Sequence, residues 1–137
     1  MATKTTTGRY IEAIGRRKTS TARVRLTPAA ETTVMVNDKK LEDYFPHVSL
    51  HKNVHSVLDL KDAGIENYTI TAKVLGGGTS SQAEAIRLGI ARALVKEKAD
   101  RRIELKKAGF LKRDPRSVER KKFGLLKSRK RPAWSKR

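Results

Sequence analysis

The order of hydrophobic patterns predicts an α+β fold, a two-layer sandwich with helices covering one face of a sheet. Two observations carry this reading. Strand-like alternation dominates the first part of the chain and then mixes with helical spacing. From Ser81 onward the apolar residues recur only at helical spacing. At 137 residues there is room for one domain.

Taken in order, Arg9–Ile14 alternates as a strand, and Gly15-Arg16-Arg17-Lys18 reads as a cationic loop that breaks it. Ala22, Val24 and Leu26 then face one way with Arg23 and Arg25 opposite, a second strand that Pro28 ends. Thr32–Val36 is a short strand closed by the turn pair Asn37-Asp38. Leu41–Phe45 makes a helical turn stopped by Pro46. Val48–Leu60 contains a helix with Val54, Val57 and Leu58 inward, ending near Gly64. Tyr68–Leu75 is a strand running into Gly76-Gly77-Gly78. The strongest helix follows: Thr79, Ser80 or Ser81 caps it, with Glu84 completing a capping box after Ser81. Ala83, Ile86, Ile90, Ala93 and Leu94 form its apolar stripe, and Gly89 within it signals close approach to a neighbouring element. Arg101–Ala108 is a further helix stopped by Gly109, and Asp114-Pro115 opens a short one through Lys122. No regular structure is expected after Gly124.

Charge divides the chain differently. Residues 26–100 hold nine basic and ten acidic residues, whereas residues 101–137 hold sixteen basic and three acidic. The whole carries +18, with a pI near 10.7. A segment as repulsive as the second, with few large apolar residues, stays extended until a polyanion neutralises it. The expected organisation is a flexible N-terminus over 1–8, a globular domain over 9–109 and an extended basic tail over 110–137. The basic clusters Arg16-Arg17-Lys18, Arg120-Lys121-Lys122 and Lys127-Ser128-Arg129-Lys130-Arg131 do not mix signs as ordinary solvated faces do. They point to phosphate neutralisation, hence to strong, salt-sensitive nucleic-acid binding. With only 5% aromatic residues and Trp134 the one stacking candidate in the tail, recognition of folded RNA by shape and phosphate is favoured over reading of single strands.

Other chemistry finds little support. The Gly76–Ser81 loop lacks the lysine of a Walker loop and the third glycine of a dinucleotide fingerprint, leaving a tight strand-to-helix connection or a backbone contact to an RNA phosphate. His47, His51 and His55 recur every fourth residue, but Pro46 interrupts the run and no zinc motif surrounds them. With no cysteine there is no disulfide or thiolate site. No enzyme, cofactor or metal is inferred. No membrane span or targeting segment is recognised, so the expected location is the cytoplasm or the interior of an organelle that makes the protein itself.

The run Gly15-Arg16-Arg17-Lys18-Thr19-Ser20-Thr21-Ala22-Arg23-Val24 resembles the entry motif of the small-subunit ribosomal protein nine family. Gly76-Gly77-Gly78, Gln82-Ala83, Ala85-Ile86-Arg87 and Gly89-Ile90-Ala91-Arg92-Ala93-Leu94 resemble its central signature. Lys107-Ala108-Gly109-Phe110, Arg113-Asp114, Glu119-Arg120-Lys121-Lys122-Phe123-Gly124 and Ser135-Lys136-Arg137 match its tail, in the bacterial or chloroplast form. Ala133 and Trp134 depart from the usual Gln and Phe or Tyr, Ser81 stands where Gly is common, and Leu75 stands where Lys is frequent.

The resemblance implies a structural component of the ribosomal small-subunit head, with a left-handed βαβ crossover in its sandwich and a tail threading through ribosomal RNA. Its partners would be small-subunit ribosomal RNA, peptidyl-site tRNA and neighbouring head proteins, with no membrane. The site residues carried by cluster and motif are Arg16, Arg17, Lys18, Arg23, Arg25, Arg113, Arg116, Arg120, Lys121, Lys122, Lys127, Arg129, Lys130 and Arg131 for ribosomal RNA. Ser135, Lys136 and Arg137 are those for tRNA. A general nucleic-acid-condensing protein, the alternative, would need no neutral 26–100 block and no capped helix. A small-molecule kinase of similar fold would need a phosphate loop and a catalytic base, and neither is identified.

Overall fold

The computed structural model describes residues 10–60 and 64–136. The expectation for 1–8 and the tRNA assignment of Arg137 lie outside the described residues.

Strand β1, Ile11–Arg17, and β2, Ser20–Pro28, form a hairpin through Lys18-Thr19, with Arg17 opposite Ser20. The loop expected at Gly15–Lys18 is therefore two residues long, and β1 runs straight through Gly15. Glycine is needed here for space, not for a turn. A Cβ on Gly15 would stand 1.8 Å from the carbonyl oxygen of Ala85 and 2.5 Å from the amide nitrogen of Gly89. Gly89 answers it, since a Cβ there would meet Val24 Cγ2 at 2.6 Å. Two glycines thus let helix α3, Thr79–Glu97, lie directly on the first hairpin.

β2 pairs antiparallel with β5, Tyr68–Leu75, placing Val24 opposite Ala72. β3, Thr33–Val36, runs parallel to β5, and β4, Lys39–Lys40, closes the sheet, whose order is β1-β2-β5-β3-β4. Asn37 and Asp38 form the expected turn, both at positive φ, the geometry that two-residue hairpins favour. Asn37 does more. Its side chain donates to the Val74 carbonyl and accepts from the Val74 amide, extending the pairing of β3 with β5. Because parallel strands need a crossover, α1 (Leu41–Tyr44) and α2 (Val48–His55) lie between β4 and β5.

The inward residues of the sheet, including Val24, Leu26, Val36, Ile70 and Val74, meet Ile86, Ile90 and Leu94 of α3 and Val54 of α2 in one core. Each such fully buried aliphatic side chain is worth about 1.5–3 kcal/mol. The helix cap differs from expectation. Gly78 is the N-cap, and Ser81 reaches back to accept its N–H at 3.1 Å. Ser81 is itself buried, with its hydroxyl 2.7 Å from that of Ser20, and Glu84 turns away to pair with Arg17.

A 3-10 turn, Ala99–Arg101, leads into α4, Arg102–Lys107, which ends before Gly109 at φ +81°. Arg101 is buried and binds the carboxylate of Glu97, the hydroxyl of Tyr68 and the carbonyl of Gly64. Burial alone would lower its pKa, but the bonds to Tyr68 and Glu97 prevail and raise it. This knot ties the start of α4 to the start of β5. The helix expected from Asp114-Pro115 to Lys122 is absent, and none of residues 112–136 lies in a helix or strand. The Asp114 carboxylate accepts from the amide and the guanidinium of Arg116, a local turn that replaces the helical start.

Candidate nucleic-acid interface

The helices cover one face of the sheet, and the strand alternation that buries one set of side chains presents the other. Register sets the outward-facing residues in rows: Ile14, Arg23 and Lys73 across β1, β2 and β5, then the half-buried pair Glu12 and Arg25 with Thr71. Glu12 is the one acid of β1, β2, β3 and β5 on this face, and it is taken. Arg25 Nε donates to its carboxylate at 2.7 Å, and that hydrogen bond holds the Glu12 pKa below the ordinary glutamate value. The Arg25 guanidinium also lies 4.5 Å from the centre of the Tyr10 ring, a cation–π contact. Arg16, Arg23 and Lys73 make no such pairs among the described residues. Arg23 was marked from the sequence. Lys73 was not, although the alternation of Tyr68–Leu75 places it on the same side.

Arg16 and Arg17 are neighbours with opposite fates. Arg16 is on the exposed face; Arg17 turns under the sheet and is 8% exposed. Arg17 Nε donates to Glu84 at 2.5 Å, Nη1 to the Arg116 carbonyl at 2.6 Å, and Nη2 lies 3.0 Å from Asp114. Asp114 gathers Arg116 as well, whose hydrogen bonds are the first cause holding its pKa far below the usual carboxylate range. Three edges of the Arg17 guanidinium thus face protein, and together they fix the root of the tail against β1 and α3. Lys18, at the hairpin turn, is exposed beside this cluster.

Beyond the root the basic residues are outward. Arg113, Arg116, Arg120, Lys121, Lys122, Lys127, Arg129, Lys130, Arg131, Ser135 and Lys136 are all exposed. The second tail acid, Glu119, binds Arg129. Trp134 is fully exposed and so is Phe123, a second flat surface for a base that the sequence reading passed over.

The remaining motifs resolve simply. Gly76 and Gly77 sit at positive φ, and the Gly76 carbonyl accepts from Ser20 and Gln82, which makes the loop a tight strand-to-helix connection. His47 precedes α2, His51 lies 2.6 Å from the Phe45 carbonyl, and no described residues form a His, Asp and Glu group able to hold a metal. No described helix is long and apolar enough to cross a membrane.

A family model described as ribosomal protein S9/S16 matches residues 15–137. The chain belongs to that family. Among curated relatives it is 49% identical over 129 residues to the small ribosomal subunit protein uS9 of Mycobacterium bovis (strain BCG / Pasteur 1173P2), covering 94% of this chain and 84% of the relative. It is 47% identical over 129 residues to the protein of the same name from Nocardia farcinica (strain IFM 10152), covering 94% and 76%. Members of this family are structural and not enzymes. The cationic hairpin, the exposed sheet face and the tail all fall within the stretch that the family model spans.

Proposed function

We propose that this protein is a structural constituent of the small ribosomal subunit, binding its ribosomal RNA through the open sheet face and the basic tail. The Ser135-Lys136-Arg137 run then touches peptidyl-site tRNA. The observation that carries the reading is the division of labour among cations. In the body the buried arginines Arg17 and Arg101 are matched by acids, while on the open face and in the tail most cations are exposed, and only Arg25, Arg116 and Arg129 among those described pair with an acid. Such a surface gains affinity from counterion release on meeting phosphates.

In this reading Arg16, Lys18, Arg23, Arg25 and Lys73 serve the body, spanning 9–109. Arg113, Arg116, Arg120, Lys121, Lys122, Lys127, Arg129, Lys130 and Arg131 serve the tail, 110–137. Arg17 acts indirectly, by aiming the tail from its root. Neighbouring proteins of the subunit head complete the surroundings. The tRNA assignment follows the family resemblance of the Ser-Lys-Arg run. One charge-assisted hydrogen bond to a phosphate is worth about 1–2 kcal/mol, or about five- to thirty-fold in affinity. Small subunits carrying this chain with Lys136 and Arg137 both changed to Ala should assemble normally and bind peptidyl-site tRNA more weakly by about that factor. Normal tRNA binding with defective assembly would move these residues from tRNA to RNA folding.

A further inference from the structure

The free edge of β1 carries a cationic surface that continues round from the open face and joins residues of β1, α3, α4 and the root of the tail. Arg92 and Lys96, one turn apart on α3, both reach this edge: Arg92 Nη1 donates to the Ile14 carbonyl at 2.8 Å and Lys96 Nζ to the Glu12 carbonyl at 2.8 Å. A cleft of 690 Å³ runs beside them, bounded by Ile14, Arg92, Lys96, Arg102 and Leu111. It adjoins a second of 420 Å³, which shares Ile14 and Arg92 and adds Arg16 and Arg113. Five cations therefore line one continuous trough. Among the described residues the one acid in its lining, Glu12, is engaged with Arg25 of the adjacent strand β2.

We propose that this trough is a binding groove for a ribose-phosphate strand, with Arg16, Arg92, Lys96, Arg102 and Arg113 as its phosphate ligands; the proposal rests on the ribosomal RNA reading above. Two features favour a nucleic-acid strand over a protein one. An exposed sheet edge ordinarily invites an added β-strand through its free backbone groups. Here Arg92 and Lys96 already occupy two edge carbonyls, so strand addition would first have to displace them. The lining, moreover, sets five cations around the apolar Ala13, Ile14, Val95 and Leu111, which suits phosphates along one side of a sugar backbone. Arg102 and Arg113 make no hydrogen bond or ion pair among the described residues, so their donors are free for it. Arg92 and Lys96 would hold the edge and the ligand together.

The test uses the full-length chain and small-subunit ribosomal RNA, with affinity measured against salt concentration. Arg102→Gln with Arg113→Gln removes two phosphate ligands, and the log–log slope should fall by about 1.4–1.8. Lys39→Gln with Lys40→Gln, at the far edge of the sheet, should leave the slope close to the parent value. Both variants should melt with the parent, because the altered side chains are exposed. Independently, Lys96 should be shielded from amine acylation when RNA is bound. An unchanged slope in the Arg102/Arg113 variant, with Lys96 still reactive in the complex, would overturn the groove and leave that edge to a protein neighbour. An equal fall in both variants would overturn it in favour of diffuse attraction. Loss of RNA binding by the parent chain itself would instead sink the underlying functional reading.

Discussion

The body and the tail of this protein use the same residue types in opposite ways. In the body a buried cation is a structural part. Arg101 is enclosed by Glu97, Tyr68 and Gly64, and Arg17 by Glu84, Asp114 and the Arg116 carbonyl. In the tail the two acids are used at Arg17, Arg116 and Arg129, and the other cations stand in solvent. Arginine in the first setting contributes to folding, and in the second it is left in solvent, where the proposed function has it neutralise a polyanion. The contrast teaches that net charge alone does not locate a binding surface; pairing does.

If that division holds, substitutions at buried positions should change stability, and substitutions of exposed, unpaired cations should change only binding. The largest stability effect is expected at Gly15→Ala. Its new Cβ meets backbone on α3, not a side chain that can swing away, so the cost should reach about 3 kcal/mol. Denaturant titration would measure it. A loss below about 1 kcal/mol would mean that the helix and hairpin are not in close contact.

Arg101→Met comes next, at about 2–3 kcal/mol, since it leaves the partly buried carboxylate of Glu97 without its buried cation. By contrast Lys121→Gln with Lys122→Gln should stay within about 0.5 kcal/mol of the parent. Equal destabilisation by the two variants would erase the distinction between body and tail.

Between these extremes lies the tail's root. Arg17→Ala should cost about 2 kcal/mol through lost charge-assisted hydrogen bonds. Its more telling readout is amide exchange. Protection should fall at Arg116, whose carbonyl and amide are both bound in the cluster, while Val24 and Ile70 stay protected. Fast exchange throughout the body would make Arg17 a core residue with no special link to the tail.

The smallest effect is a matter of pH. Asp114 has a folded pKa below its unfolded value, so the stability it contributes is present above the ordinary aspartate range of about 3.9. It is lost only as pH falls through the lower folded value. The root should therefore stay docked at pH 4 and release in stronger acid. A carboxyl-carbon NMR titration of Asp114 with an ordinary midpoint would show the cluster to be open in solution.

Much of this was legible in the sequence wherever one face of an element is buried. β2, β5 and α3 follow from periodicity alone, because Ala22, Val24 and Leu26, then Tyr68 to Val74, then Ile86, Ile90 and Leu94 repeat with the pitch of their elements. Gly89 was read correctly as a close approach, yet the same property of Gly15 was taken for a break, since its neighbour lies in a helix seventy residues away. Arg17 looked identical to Arg16 for the same reason: its partners Glu84 and Asp114 are distant in sequence. Asp114-Pro115 carries a helix-start signature, but that carboxylate was claimed by Arg17 and Arg116. The trough escaped notice because Arg92, Lys96 and Arg102 are scattered among apolar and acidic residues, and only the fold gathers them.

The claim at the centre of this account is that the tail's unpaired cations neutralise ribosomal RNA phosphates. The direct measurement is the salt dependence of small-subunit ribosomal RNA binding by the full-length chain. A second chain would have Arg120, Lys121, Lys122, Lys127, Lys130 and Arg131 all changed to Gln. At about 0.7–0.9 per phosphate contact, the log–log slope should fall by about 4–5 while the melting temperature stays put. An unchanged slope would mean that the tail meets something other than phosphate, and the account would be wrong at its root.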